Sequence, residues 1–466
     1  MSRLLPALSA ALVAGVALAQ PAPPGLTNWP FDELTLANGA KFQGLILDDS
    51  PAGVRFQTVR RPPGKPTFTL TSTFKKAEVA GVKRMPDRDR EFLKERLAEL
   101  DLDGAGEVRR MAALELVPAA WLGVPGVARR YDSEYFALVS DAPDEVTRRA
   151  AVRLEQLYAA FARFLPPTVP DARPTTVMLA PDRDGYKALL APLGLTDLLN
   201  PAVYDPRANR IVCGSDLRRL GRELDDAKFH HSQQLAELDR YEAGVRKLYR
   251  KPELDRHIKG VADERKRVYD ADRANGKKFD AAAARLFPVL NHEAFHAYAA
   301  TFVYPPLSPD RVKAGAGSGE LPRWLNEGLA QVFETAVVEA GELRADHADR
   351  DRLTRAKDRL RKKDGGGLVP LADLLVAGKD AFLVHHADER AVADRAYLTC
   401  WALAHYLTFD RRVIGAAGFK PYLAAVNAAA DPRAAFEALV GRPLPAFEAD
   451  WHAYLLRLQP DGTLAK

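Results

Sequence analysis

Cysteine is nearly absent: the chain of 466 residues has two, Cys213 and Cys400. Two cannot build a disulfide framework, so the fold has to be held by its own core. Each sits in an apolar context, Ile211-Val212-Cys213 and Leu398-Thr399-Cys400-Trp401. Buried free thiols suit that setting better than a bridge, although the two could pair in an oxidising compartment. A strong excess of one charge is also lacking. Lys and Arg number 67 against 62 Asp and Glu, a net of +5, which gives no footing for a nucleic-acid partner. Beyond the first twenty residues no apolar run approaches the roughly 20 residues of a bilayer span. No stable membrane insertion is therefore expected after removal of the leader.

What is present begins with that leader. Arg3 precedes an uncharged stretch from Leu4 to Leu18, and Ala17-Leu18-Ala19 offers small residues for cleavage after Ala19. Residues 1–19 thus read as a signal peptide, and the expected location is periplasmic or extracellular. The rival reading is an uncleaved N-terminal anchor. Residues 20–30 form a Pro-rich linker.

From 31 to 85 the pattern shortens to strands. Asn38-Gly39 is a hairpin signal between Leu34-Thr35-Leu36 and Phe42 to Leu47. Val54 to Val59, Thr67 to Phe74 and Val79 to Val82 follow, so a small SH3-like or Sm-like β-barrel is expected, an accessory or docking module without chemistry of its own. Residues 86–130 read as a charged, helical connector. From 131 to 460 strand and helix patterns alternate, an α+β unit. Asp144 to Phe164 has apolar residues at 146, 150, 154, 157, 161 and 164, which is helical spacing. Strands are expected at Tyr135 to Val139, Thr175 to Leu179 and Arg210 to Cys213, with a helix over Arg183 to Leu190.

Residues 216–280 interrupt that unit. Seventeen basic and 14 acidic residues are interspersed there. A heptad starting at Leu217 puts Leu224, Leu238 and Val245 at a, and Leu220, Tyr241 and Leu248 at d. This predicts a charged coiled-coil hairpin turning at Lys251-Pro252. It and the barrel are the parts through which a protein partner could be engaged. His230, His231 and His257 lie in it and are read as surface residues.

Chemistry enters at Asn291-His292-Glu293-Ala294-Phe295-His296. On a helix His292 and His296, four apart, share one face and can reach a single ion. Glu293 is rotated about 100° from His292, beside the ion and able to take a proton from water. A catalytic zinc needs a third protein ligand and an open position. Glu327, in Trp324-Leu325-Asn326-Glu327-Gly328-Leu329-Ala330, is the candidate. Asn326 is read as a helix cap, with positioning of its neighbour as the alternative.

HEAFH followed by WLNEGLA resembles the gluzincin metallopeptidases, most closely the peptidase MA-like family of exported bacterial proteins, over roughly Tyr131 to Leu458. The interval between His296 and Glu327 is longer than in thermolysin-like members, and Gly315, Gly317 and Gly319 mark a loop that absorbs the surplus. The resemblance implies a thermolysin-like domain and one Zn2+ per chain on His292, His296 and Glu327. It also implies hydrolysis of a peptide or protein substrate with Glu293 as general base. It implies an oxyanion donor from the C-terminal helices, Tyr397 or His405, with Tyr397 preferred. Substrate would add as an extended peptide to an edge strand, expected at Arg210 to Cys213. No acidic cluster beside the HExxH helix announces a binder of peptide amino termini, which favours an endopeptidase over an aminopeptidase. The alternative is a catalytically silent peptidase fold serving as an envelope binding or scaffolding protein.

Overall fold

The computed structural model describes residues 29–102, 105–195, 201–214, 217–315, 319–345, 347–362, 367–378 and 390–465. The expected signal peptide, the expected linker up to residue 28 and Gly317 lie outside the described residues. So do the side chains of Leu217 and Leu220.

Strands β1 (Asp32–Leu36), β2 (Lys41–Ser50), β3 (Gly53–Arg60), β4 (Phe68–Lys75) and β5 (Val79–Lys83) form one antiparallel sheet in the order β4-β3-β2-β1-β5. All five expected strands are there. β4 and β5 are its edges, and no pairing among the described residues joins them into a closed barrel. Trp29, read as linker, is instead buried beside Leu45, Val59 and Leu93.

Helices α1 (Asp87–Glu99) and α2 (Ala105–Ala113) make the connector, but it ends sooner than expected. β6 (Val117–Trp121) and β7 (Val124–Asp132) already belong to the second sheet, whose order is β10-β11-β9-β8-β7-β6. Pro118, Pro125 and Gly126 disguise them, and an edge strand such as β6 tolerates proline because one side of it needs no donors.

That second sheet contains β8 (Phe136–Ser140), β9 (Thr175–Ala180), β10 (Ala202–Asp205) and β11 (Arg210–Gly214). β8, β9 and β11 run parallel, and β10 is antiparallel to β11. Helices α3 (Asp144–Phe164) and α4 (Arg183–Leu190) have the expected bounds. Strand alternation divides the apolar residues between two faces. Leu138, Val177, Leu179, Ile211 and Cys213 meet α3 in the main core, while Val139, Ala180 and Val212 pack against Tyr186, Leu189 and Leu190 of α4. Both cysteines are buried free thiols.

Two long helices follow. α5 (Leu217–Leu248) and α6 (Glu253–Tyr298) form the hairpin, turning at Lys251-Pro252 as expected. The return arm is no separate insertion element: α6 continues without a break into the HExxH turn. At 46 residues it is about 69 Å long. Val245, Val261 and Val268 are buried along the seam. Polar pairs supply the rest: His231 with Asp272, Gln234 with Glu264 at 3.1 Å, and Arg265 with Glu242 at 2.6 Å. Tyr241 and Leu248, expected in the seam, face solvent.

After α7 (Pro309–Lys313) comes α8 (Arg323–Glu334). β12 (Val337–Glu339) and β13 (Glu342–Arg344) form a hairpin through Ala340 and Gly341, both at positive φ. The N-terminal sheet grips this hairpin. Trp29 Nε1 donates to Glu342 Oε1 at 3.0 Å and Arg61 pairs with Glu342 at 2.8 Å. Thr67 N donates to Glu339 at 2.7 Å, and Arg344 donates to the carbonyls of Lys65 and Pro62. The module docks within its own chain. α9 (Arg350–Arg361), α10 (Leu371–Leu374), α11 (Arg390–His405), α12 (Phe419–Asn427), α13 (Pro432–Val440) and α14 (Leu444–Arg457) complete the helical half.

Candidate metal centre

α6 and α8 cross at the site, and the aromatic residues between them fix how they cross. Phe295, inside the HExxH turn, is fully buried and lies 5.7 Å (ring centroids) from Phe161 of α3 and 4.8 Å from Phe333 of α8. With that face of α6 committed to the core, His292 and His296 are left facing Glu327. Glu327 starts the second turn of α8, and the next residue, Gly328, lets α11 approach. A Cβ there would stand 2.4 Å from the Cys400 carbonyl oxygen and 2.7 Å from Ala404 Cβ. The glycine of the Asn-Glu-Gly sequence is thus a packing requirement that carries Tyr397, on α11, to the cleft.

His292, His296 and Glu327 each offer a ligand atom, and these atoms lie within 4.8 Å of one another. Nε2 of His292 is 3.2 Å from Glu327 Oε2, and Nε2 of His296 is 3.5 Å from Oε1. The far side of each ring is held. His296 Nδ1 meets Asn326 Oδ1 at 3.0 Å, so Asn326 orients a histidine and does not cap α8, where Pro322 holds the cap position. His292 Nδ1 is 3.6 Å from Glu334 Oε2, and Glu334 is paired with Arg352 at 2.7 Å. Partners on Nδ1 leave both Nε2 atoms for an ion, the usual arrangement of histidine ligands. Glu334 and Arg352 went unread in the sequence. Glu334 is seven residues, two turns, beyond Glu327 on the same helix face, and that spacing was the available signal.

Charge in the cluster fits a cation. Glu327 is 1% exposed, and its Oε1 faces both His296 and the Arg323 guanidinium within ion-pair reach. Burial opposes its charge, and His296, His292 and Arg323 together hold its carboxyl well below the ordinary range. Burial likewise opposes a proton on His292, but Glu327 and Glu334 outweigh it and push the imidazole up to about 10. Two imidazoles and a buried carboxylate whose ligand atoms converge are the donor set that a zinc ion takes, and Arg323 is the cation that shares the carboxylate in its place.

The three residues line a cleft of about 420 Å³ together with Glu293, Arg323, Tyr204 and Tyr397. The Tyr397 ring is 6.5 Å from that of His292. Burial, then Glu327, pushes its hydroxyl pKa upward, so it stays a donor. His405, two turns further along α11, is not at the cleft. It is 1% exposed, bonded to the Tyr454 hydroxyl at 3.2 Å, and burial lowers its pKa to about 4. The edge strand also differs from expectation. β11 is an interior strand; β10, with Ala202, Val203 and Tyr204, is the edge that borders the cleft.

A family described as "Protein of unknown function (DUF1570)" matches residues 309–415. The matched stretch begins after His296 and contains Glu327, the β12–β13 hairpin and Tyr397. No curated protein and no solved structure matches the chain.

Proposed function

We propose that the protein is an exported zinc-dependent metallopeptidase with a thermolysin-like catalytic half. The observation that carries this reading is the convergence of His292, His296 and Glu327, with Glu293 on the same cleft wall. Bound there, zinc would supply a water with a pKa near 7 and polarise the scissile carbonyl, as such ions do. Glu293 takes the proton of the attacking water and hands it to the leaving nitrogen. Tyr397 donates its hydroxyl hydrogen to the carbonyl oxygen as negative charge develops. Asn326 and Glu334 keep the two imidazoles oriented. The free side of β10 receives an extended peptide by main-chain pairing, which suits an endopeptidase. Proline at Val203 is then the informative substitution, in place of one in β11.

The second reading is a catalytically silent fold used for binding. Arg323 favours it: its guanidinium pairs with the carboxylate meant for the ion. One experiment separates the two. Purified protein is dialysed against trace zinc, its metal content measured, and a peptide library digested with the parent and with Glu293→Gln. The enzyme reading expects one zinc per chain in both. It also expects hydrolysis to fall by roughly 10²–10⁴ in the variant. Absence of zinc, or equal cleavage by the two proteins, rejects it.

A further inference from the structure

The α5–α6 hairpin carries a surface that the reaction does not use. Along its shaft acidic and basic residues are interspersed, and three arginines pair within the hairpin: Arg265 with Asp239 and Glu242, Arg267 with Glu264, Arg273 with Asp270. The tip is different. Arg246-Lys247-Leu248-Tyr249-Arg250-Lys251 holds four basic residues and no acidic one, and all six are exposed. At its centre stand Leu248, 79% exposed, and Tyr249, with Tyr241 nearby and 52% exposed. Tyr249 and Tyr241 are steadied by His257: one ring lies 4.6 Å from it, and the other hydroxyl meets Nδ1 at 3.0 Å. Of the four cations, Arg246 pairs with Glu242 and Lys251 reaches Asp255 at 4.0 Å, both on the exposed surface.

We infer that this tip docks on a membrane surface bearing anionic phospholipids. Charge complementarity selects an anionic partner, and the apolar centre selects a lipid one. A leucine gains nothing from a phosphate chain or a solvated acidic peptide, but it can enter the acyl boundary. Tyrosine sits at the headgroup level, and Lys and Arg stems lie along the apolar surface with their charges at the phosphates. Among the described residues no helix is long and apolar enough to cross a membrane, and the tip itself is suited to lie at the surface. His292 is 39 residues from Glu253 along α6, so the cleft stands up to about 58 Å above the docked tip.

Sedimentation of the full chain with vesicles tests this. Binding is expected to phosphatidylcholine vesicles containing phosphatidylglycerol, not to phosphatidylcholine alone, and to weaken as salt rises. Lys247→Glu with Arg250→Glu should lower the partition about 25-fold or more, at roughly fivefold for each basic residue at an anionic surface. Leu248→Ser with Tyr249→Ser should lower it about tenfold, from the lost apolar burial. Circular dichroism and zinc content should be unchanged in both, because every altered side chain is exposed. Equal partition onto both vesicle types overturns the proposal. So does a Leu248/Tyr249 variant that binds as the parent does, since the tip would then be a patch for soluble polyanions or acidic proteins.

Discussion

The two ends of α6 are built on opposite terms. Its last turns bury Leu290, Ala294, Phe295 and Tyr298 among aromatic residues of α3 and α8, and there it carries both histidines. Its first turns bury little beyond Val261 and Val268 and rely on ion pairs with α5. One continuous helix therefore joins a rigid end, where packing sets ligand positions to fractions of an ångström, to an end held mostly by solvated charge. Exposed ion pairs contribute at most about 1 kcal/mol each, so the distal half should open far more readily than the proximal half. Precision at the site does not require a rigid hairpin.

That contrast can be broken in several places. The largest effect is expected at the rigid end, where Tyr397→Phe should cut peptide turnover by roughly 10²–10³ with zinc affinity unchanged; steady-state kinetics alongside zinc titration reads both. A parallel loss of zinc would make Tyr397 a packing residue only. Next, Asn326→Ala should weaken zinc about 10- to 100-fold by releasing the His296 ring, measured against a competing chelator. If affinity holds, packing of Phe295 alone fixes the histidine.

The proton on His292 gives a third test. Its pKa of about 10 lies above the free value, so it steadies the metal-free fold fully below about 6.5, and that contribution disappears as pH rises through 10. Zinc must expel this proton, so its apparent affinity should climb about tenfold per pH unit between those limits. Calorimetry in two buffers of different ionisation enthalpy should detect release of one proton. The smallest effect belongs to the other end. Val261→Ala and Val268→Ala should each destabilise the hairpin by about 1–2 kcal/mol, seen as faster amide exchange there. Zinc affinity should not move; if it does, the helix is one cooperative unit.

Much of the half that carries the histidine cluster was legible because its elements obey single periodicities. α3 and α4 have the expected bounds, and HExxH announces two histidines on one face by helix geometry alone. Harder elements were those whose sequence contradicts their role. β6 and β7 contain prolines, and β10 is four residues beside Pro206, so both edges of the sheet were missed and β11 was given the place of β10. Tyr241 and Leu248 fit a heptad yet point outward, because only buried seam positions are forced inward. Asn326 and Glu334 act across helices: the spacing from Glu327 puts Glu334 on the right face of α8, but only the placement of α6 shows that it meets His292 and that Asn326 meets His296. His405 and Tyr397 are both candidates along the chain, with Tyr397 preferred. They separate only when α11 is placed, with Gly328 bringing its first half to the cleft and the second half running into the core.

The grip of the N-terminal sheet on the β12–β13 hairpin also sets an order in time. Trp29 bonds to a residue 313 positions later, and Arg61 to one 281 positions later. During synthesis the sheet is made well before Glu342, so Trp29 and Arg61 lack the carboxylate that will satisfy them while the core strands and the α5–α6 hairpin are made. Contacts of such sequence separation form late and slowly. A sheet made early is therefore among the last parts of the chain to reach its final surroundings.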